Sequence, residues 1–274
     1  MNTNDGFKKL GFASTPKGLL YLCILACAAL DSTGSDAHLH LTYLATFGNG
    51  SLAGSVDKLD IGSLKPGDTQ VANMNSSWTP LDGAIEIGVS RPTQPLVGPV
   101  GAGLFATPVN FDAGSVVGLR ATFVAPIGPH NTGDQWAVSL SARTGDNNDR
   151  AEDTRASATF QVRGATARLN VVGATAPANQ PNIPQEIYDA IFDPVDPEPF
   201  TLELLVDRTT GNGTALLKVG DWVTSYNFQF AAFETDTGPA ITAVGPSIAI
   251  TNAPGQRVSV WTCDFRIFTP KPTQ

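Results

Sequence analysis

Cysteine is nearly absent from this chain: three in 274 residues, at Cys23, Cys27 and Cys263. The first two sit in an N-terminal apolar run, so the remainder keeps one thiol and has no internal disulfide, nor the four spaced ligands of a structural zinc site. Basic residues are also scarce. Seventeen Lys and Arg stand against 25 Asp and Glu, a net charge of −8. A nucleic-acid binder needs a basic footprint to displace counterions, so the charge argues against that class of partner. Charged residues of both signs make up only 15% of the chain, which leaves Ser, Thr, Asn and Gly to cover the surface. Long helical stretches are missing too, as 27 glycines and 20 prolines interrupt the sequence with turn signals. The 42% of apolar residues still suffices for a sizeable core.

No apolar run is long enough to span a bilayer as a helix, which takes about 20 residues. The longest, Leu19 to Leu30, has twelve and follows Lys8, Lys9 and Lys17. A basic start, an apolar stretch and small residues form the order of a secretory leader. Residues 1–37 are therefore expected to be a leader with a short linker, removed or anchored on export to a secreted or periplasmic location. Three exits are open: cleavage after Ala28, cleavage after Ala37, or lipid attachment at Cys27, since Ile24-Leu-Ala-Cys27 resembles the lipoprotein attachment box; the other reading is a buried or retained N-terminal helix.

From His38 the pattern becomes short alternating segments between turns. Strands are expected over 39–47, 83–89, 116–124, 135–143, 156–163, 167–172, 200–207, 214–219, 224–233, 248–251 and 257–268. Gly164 and Gly211-Asn-Gly213 mark hairpins. One short helix is expected after Asn182 as N-cap and Pro184 near the first turn, with Ile187, Ile191 and Phe192 on its apolar side. Ten or eleven strands at this spacing predict an all-β, two-sheet antiparallel sandwich forming one domain over 38–274. Trp136 and Trp261 are assigned to its core, and Cys263 to a buried position beside Phe265.

Phe200-Thr-Leu-Glu-Leu-Leu-Val-Asp207, Gly213-Thr-Ala-Leu-Leu-Lys-Val-Gly220 and Gly255 to Ile267 carry a resemblance in strand order and spacing. They resemble the late strands of the concanavalin A-like jelly rolls, of legume-lectin and laminin-G type, over roughly residues 105–268. The resemblance implies a jelly-roll sandwich, and a concave sheet face of the kind that such folds commonly use for polysaccharide. It is a likeness of fold, not of chemistry.

Alternation places polar residues on shared strand faces. Ser139, Ser141 and Arg143 oppose Trp136, Val138 and Leu140; Thr159, Gln161 and Arg163 oppose Phe160 and Val162; Arg120 and Thr122 oppose Leu119, Ala121 and Phe123. If these strands are neighbours, Arg120, Ser139, Ser141, Arg143, Gln161 and Arg163 line one face. Guanidinium forks suit carboxylates, so a carbohydrate or another anionic molecule or polymer is the expected partner. Arg143 and Arg163 are expected to form one patch, waiting for a ligand or meeting a distant acid such as Asp264. The other reading of this face is a solvated surface with local Arg–Asp pairs. Trp222 and Tyr226, near a Gly-Asp turn, are candidates for stacking on a sugar, with core packing as the other reading. Asp146, Asn148 and Asp149, with Glu152 and Asp153 beyond, offer oxygen ligands for calcium without the spacing of an EF-hand; otherwise they form a solvated acidic turn. No other cofactor is indicated.

The leading functional expectation is an exported carbohydrate-binding or polysaccharide-associated jelly roll, with catalysis left open. A second is a lyase or isomerase in which Arg143, Gln161 and Arg163 hold an anionic substrate, with Tyr188 or Tyr226 as proton donor. A third is a structural protein that packs against assembly partners. A fourth rests on His38 and His40, which share one side of a strand, with His130 the only other histidine: cleavage after Ala37 would create an N-terminal histidine resembling the copper brace of lytic polysaccharide monooxygenases. The absence of disulfides and the lectin-like late strands weigh against it. Paired carboxylates of the laminarinase type are missing, with Glu86 standing alone, as are a Gly-x-Ser-x-Gly elbow and a phosphate-cradling loop.

Overall fold

The computed structural model describes residues 39–46, 65–67, 76–81, 84–90, 100–105, 116–125, 135–143, 155–173, 180–207, 210–229, 243–252 and 257–270. The expected leader (residues 1–37), His38, His130 and the Asp146–Asp149 loop lie outside the described residues, as do the side chains of His40, Arg143 and Cys263. The strands are β1 (Leu39–Thr46), β2 (Lys65–Gly67), β3 (Ser76–Leu81), β4 (Ala84–Ser90), β5 (Val100–Phe105), β6 (Val116–Val124) and β7 (Gln135–Arg143). They continue with β8 (Arg155–Arg163), β9 (Thr166–Val172), β10 (Phe200–Asp207), β11 (Asn212–Val219), β12 (Trp222–Gln229), β13 (Ala243–Asn252) and β14 (Arg257–Pro270). Helix α1 (Gln185–Ile191) separates β9 from β10.

All pairings are antiparallel. The larger sheet runs β12-β11-β10-β6-β14-β4-β3, with β1 also on β14; the smaller runs β2-β5-β13-β7-β8-β9. The expected two-sheet jelly-roll sandwich is what forms. Strands β2, β3 and β5 were not anticipated. Lys65-Pro-Gly67, Pro80 and the glycines of Val100-Gly-Ala-Gly103 hide the two-residue period on which the expectation rested.

The core forms where the alternation places it. Val117, Leu119, Ala121 and Phe123 of β6 and Phe200, Leu202, Leu204 and Val206 of β10 face Trp136, Val138 and Leu140 of β7 and Ala158, Phe160 and Val162 of β8. Phe160 meets Phe200 across the two sheets with ring centroids 4.6 Å apart, and Phe200 stacks on Phe123 at 5.4 Å. Helix α1 closes one end of this layer. Phe192, at its C-terminus, packs edge-on to Trp136 at 5.9 Å, and Tyr188 lies 4.6 Å from Phe192. Gly164 turns β8 into β9 with φ 59°, a conformation that costs other residues steric strain.

Two expectations need correction. Asn182 does not cap α1: Pro184 occupies the N-cap, with no side-chain cap bond. Instead Asn182 bridges to Arg168, and the Ile183 N–H donates to the Ala167 carbonyl at 2.8 Å, so the chain runs beside β9 before it coils. Trp261 is not a core residue. Its register partner is Val124, it is half-buried, and it lies between Val260 and Thr262, whose side chains are buried.

The side of the larger sheet away from the core holds a closed set of charges. Arg120 Nε is 2.8 Å from Glu203 Oε1, and its guanidinium lies 5.5 Å from the Phe268 ring centroid. Arg266 Nε donates to Asp264 Oδ2 at 2.7 Å, and the Thr122 N–H donates to Asp264 Oδ1 at 3.3 Å. Burial pushes the Asp264 carboxyl above its usual range, opposed by the charge and hydrogen bond of Arg266 and by hydrogen bonds from Thr122.

Two measurements check this account. Phe160→Ala should cost about 3–5 kcal/mol in equilibrium denaturation, while Gln161→Ala one position on costs little; equal costs would contradict the register. The second concerns Asp264. A raised native pKa means that the folded chain holds this proton more tightly than the unfolded one. Its contribution to stability is then full below the ordinary carboxylate pKa and is lost as pH rises through the raised value. Wild-type stability should therefore fall with rising pH relative to Asp264→Asn, in denaturant titrations across the acidic range. A difference that does not change with pH would show that Asp264 is not so perturbed.

Candidate ligand-binding site

Strands β7, β8 and β9 bring most of the expected polar residues together. Ser139 stands opposite Thr159, Ser141 opposite Ser157, and Ala137 opposite Gln161. On the other side of β8, Thr159 pairs with Asn170, Gln161 with Arg168, and Arg163 with Thr166. Because Phe160, Val162, Ala167 and Leu169 point into the core, the residues between them point away from it.

The middle of this face is closed. Ser141 and Ser157 are each 1% exposed and share a 2.8 Å hydroxyl contact; Ser139 and Thr159 share one of 3.0 Å. These hydroxyls satisfy one another and knit β7 to β8. The open part lies at the β8–β9 end. Arg163 is exposed, and Gln161 and Arg168 are half-buried. Arg168 Nε donates to Gln161 Oε1 at 2.9 Å, which directs the remaining guanidinium nitrogens elsewhere. Burial, and then the neighbouring Arg163 charge, lower the Arg168 pKa from the ordinary arginine value. Among the described residues, neither arginine is ion-paired with a carboxylate.

The charge pattern extends beyond this pair. The six strands of the smaller sheet contain Lys65, Arg143, Arg155, Arg163 and Arg168, and no Asp or Glu. Arg143 and Arg155 are direct register partners. The strands of the larger sheet are balanced: Glu86, Glu203, Asp207 and Asp264 accompany Arg120, Lys218, Arg257 and Arg266. An acidic protein thus has one sheet built without acids.

The grouping expected from sequence is corrected in four places. Arg120 belongs to the other sheet and is held there by Glu203, so it does not share a face with Gln161 and Arg163. Arg143 and Arg163 do not form one patch. Each ends its own strand, and because β7 and β8 are antiparallel these ends are opposite: Arg143 pairs with Arg155, Arg163 with Gln135. Eight register steps between those rows span roughly 27 Å. Asp264 serves neither arginine, being bound to Arg266. Trp222 and Tyr226 lie on the core side of β12, half-buried against the core, not on the face with Gln161.

Tyr188 cannot act as the expected proton donor to a substrate from its place in the fold. It is buried, and its hydroxyl donates to the Gly164 carbonyl at 2.9 Å, where it holds the β8–β9 turn. Arg168 was missed by sequence reasoning, although its signal was present: Ala167 and Leu169 alternate around it, and the tight turn at Gly164 sets it beside Gln161. Among the described residues no cluster of three or more His, Cys, Asp or Glu could hold a metal ion, and no helix is long and apolar enough to cross a membrane.

The sequence matches no protein-family model and no curated protein. Solved structures do share the architecture. The CBM2 module of the evolved Dit of Lactobacillus casei BL23 phage J-1 is 10% identical, with 86% of this chain and 98% of that one covered at a TM-score of 0.52. Peanut lectin is 10% identical over 86% of this chain and 100% of its own, at a TM-score of 0.45. The carbohydrate recognition domain of Emp47p is 14% identical over 87% and 100%, at 0.43. At such identities the likeness is one of fold alone, a two-sheet antiparallel jelly-roll sandwich.

Proposed function

We propose that this chain is an exported carbohydrate-binding jelly roll that takes an acidic glycan at the Gln161–Arg163–Arg168 corner of its smaller sheet. The observation that carries this reading is the adjacent pair Arg163 and Arg168, lacking a carboxylate partner among the described residues of a chain whose net charge is −8. Two guanidiniums kept together without an acid raise the free energy of the empty site, and a bound carboxylate or sulfate removes that cost. Gln161 orients the Arg168 fork, which favours a planar carboxylate over a diffuse counterion. The fold supports sugar as the carrier of the acid, because a solved relative of the same architecture is a CBM2 module. Binding without catalysis is favoured because the Tyr188 hydroxyl is spent within the fold and Tyr226 belongs to the other sheet.

Affinity electrophoresis and titration calorimetry against a polyuronate and a neutral glucan, with and without calcium, test the reading. The polyuronate should bind and the neutral glucan should not, with affinity falling as salt rises. Arg163→Ala and Arg168→Ala should each weaken binding by about tenfold or more with melting temperatures nearly unchanged, and Arg168→Lys should recover only part of the loss. Equal retention by both glycans, or binding untouched by either alanine variant, would overturn the assignment. Mass spectrometry of the protein from its native host should show loss of at least the first 26 residues; an intact N-terminus would remove export by this route.

A further inference from the structure

Like charges on neighbouring rows of a hairpin push its strands apart. Arg163 and Arg168 occupy such rows, in the hairpin of β8 with β9 at the end of the smaller sheet. What holds them together is a set of bonds inside the fold. The turn between the strands has two residues, Gly164 and Ala165. Gly164 is buried, and its carbonyl accepts from the Tyr188 hydroxyl at 2.9 Å. One residue earlier, the Arg163 carbonyl accepts from the Thr166 hydroxyl at 3.1 Å. Past the turn, the Ala167 carbonyl accepts from the Ile183 N–H at 2.8 Å, and Arg168 is bridged to Asn182. Three of these four ties come from the short segment Asn182 to Tyr188. The core anchors that segment: the Tyr188 ring lies 4.6 Å from Phe192, which reaches Trp136 at 5.9 Å and Phe160 at 6.3 Å. Helix α1 thus grips the hairpin from its core side, while the cations stand on the other side.

We infer that Tyr188 and Thr166 are positioning residues of the basic corner: their hydroxyls fix the backbone of the β8–β9 turn, and the turn sets the separation of Arg163 and Arg168. This rests on the acidic-glycan reading and deepens it, because both residues act through the backbone and not through contact with the glycan. A loosely held turn would let the hairpin splay until the cations relaxed apart. An acid would then have to draw them together again as it bound, and affinity would fall. With the turn fixed, that approach is completed during folding, before any ligand arrives. A phenylalanine at position 188 would fill the same space beside Phe192; the hydroxyl adds the tie to the turn.

A double-mutant cycle on the full chain tests this, with polygalacturonate as the probe, affinity electrophoresis to read weak binding and thermal melts to read stability. Tyr188→Phe should lower polygalacturonate affinity about fivefold and also lower the melting temperature. In an Arg163→Ala background it should lower the melting temperature by the same amount but leave the residual affinity where it was, since no pair remains to be positioned. Thr166→Val, at an exposed position, should repeat this pattern, and Thr166→Ser, which keeps the hydroxyl, should bind as wild type. A merely structural role would cost stability while the folded fraction kept its affinity in both backgrounds. That outcome, or an affinity loss of equal size with and without Arg163, would overturn the inference; if Tyr188→Phe does not fold, Thr166→Val and Thr166→Ser decide it. A wild type that binds no polygalacturonate removes the glycan reading and this inference together. Binding that needs Arg163 but is indifferent to both hydroxyls removes this inference alone.

Discussion

The contact between Phe160 and Phe200 is the constraint on which the rest of this structure depends. These rings come from different sheets and meet at 4.6 Å. Once Phe160 points into the sandwich, the two-residue period of a strand sends Gln161 and Arg163 out of it. Phe200 does the same on β10 and sets Glu203 on the outer side, opposite Arg120. A slip of one residue would bury a charge and an amide while exposing large apolar groups, so register and chemistry are enforced together. The placement of candidate ligand groups is thus a consequence of core packing.

The two outer faces then treat charge in opposite ways. On the larger sheet each buried guanidinium is compensated: Arg120 by Glu203 and a ring face, Arg266 by Asp264. Breaking either pair would leave a desolvated charge, which is expensive, so those residues are tied to the fold. On the smaller sheet Arg163 is exposed and Arg168 half-buried, and the strands of that sheet contain no acid. Burial thus ties the arginines of the larger sheet to the fold, whereas Arg163 on the smaller sheet stays open to solvent.

Much of this was legible in the sequence, and the failures share a cause. Alternation in Trp136 to Arg143 and in Ala156 to Arg163 located the strands, the core residues Trp136 and Phe160, and the outward Gln161 and Arg163. Alternation is a local signal, however, and says nothing of which strands become neighbours. Arg120 shows the same polar-side pattern as Gln161 yet belongs to the other sheet, because β6 pairs with β10 and β14. Arg143 and Arg163 look equivalent as strand-terminal arginines, but an antiparallel hairpin sends such ends apart. That error was avoidable, as was the omission of Arg168, which a tight turn at Gly164 necessarily returns to Gln161. Trp222 and Tyr226 were open to either face until the pairing of Ala215 with Tyr226 and Val219 with Trp222 set them on the core side. Strands with proline or paired glycines gave no alternation at all.

On the proposed reading, selectivity at the Arg163–Arg168 corner follows from the lack of a carboxylate partner for either arginine among the described residues. A neutral sugar could hydrogen-bond to the Gln161 amide or a guanidinium, but it would leave the repulsion between the two cations in place. An acid removes that repulsion as it binds, so the gain is specific to charge and not to hydroxyl pattern. Mobile anions compete for the same gain, which ties ligand strength to ionic strength. The Nε bond from Arg168 to Gln161 adds the directional part, since a held guanidinium presents its fork without first losing rotamer freedom. Discrimination between an acidic and a neutral glycan therefore requires no carboxylate, metal or deep cavity in the protein; it requires only that the fold keep two like charges together and withhold an acid from them.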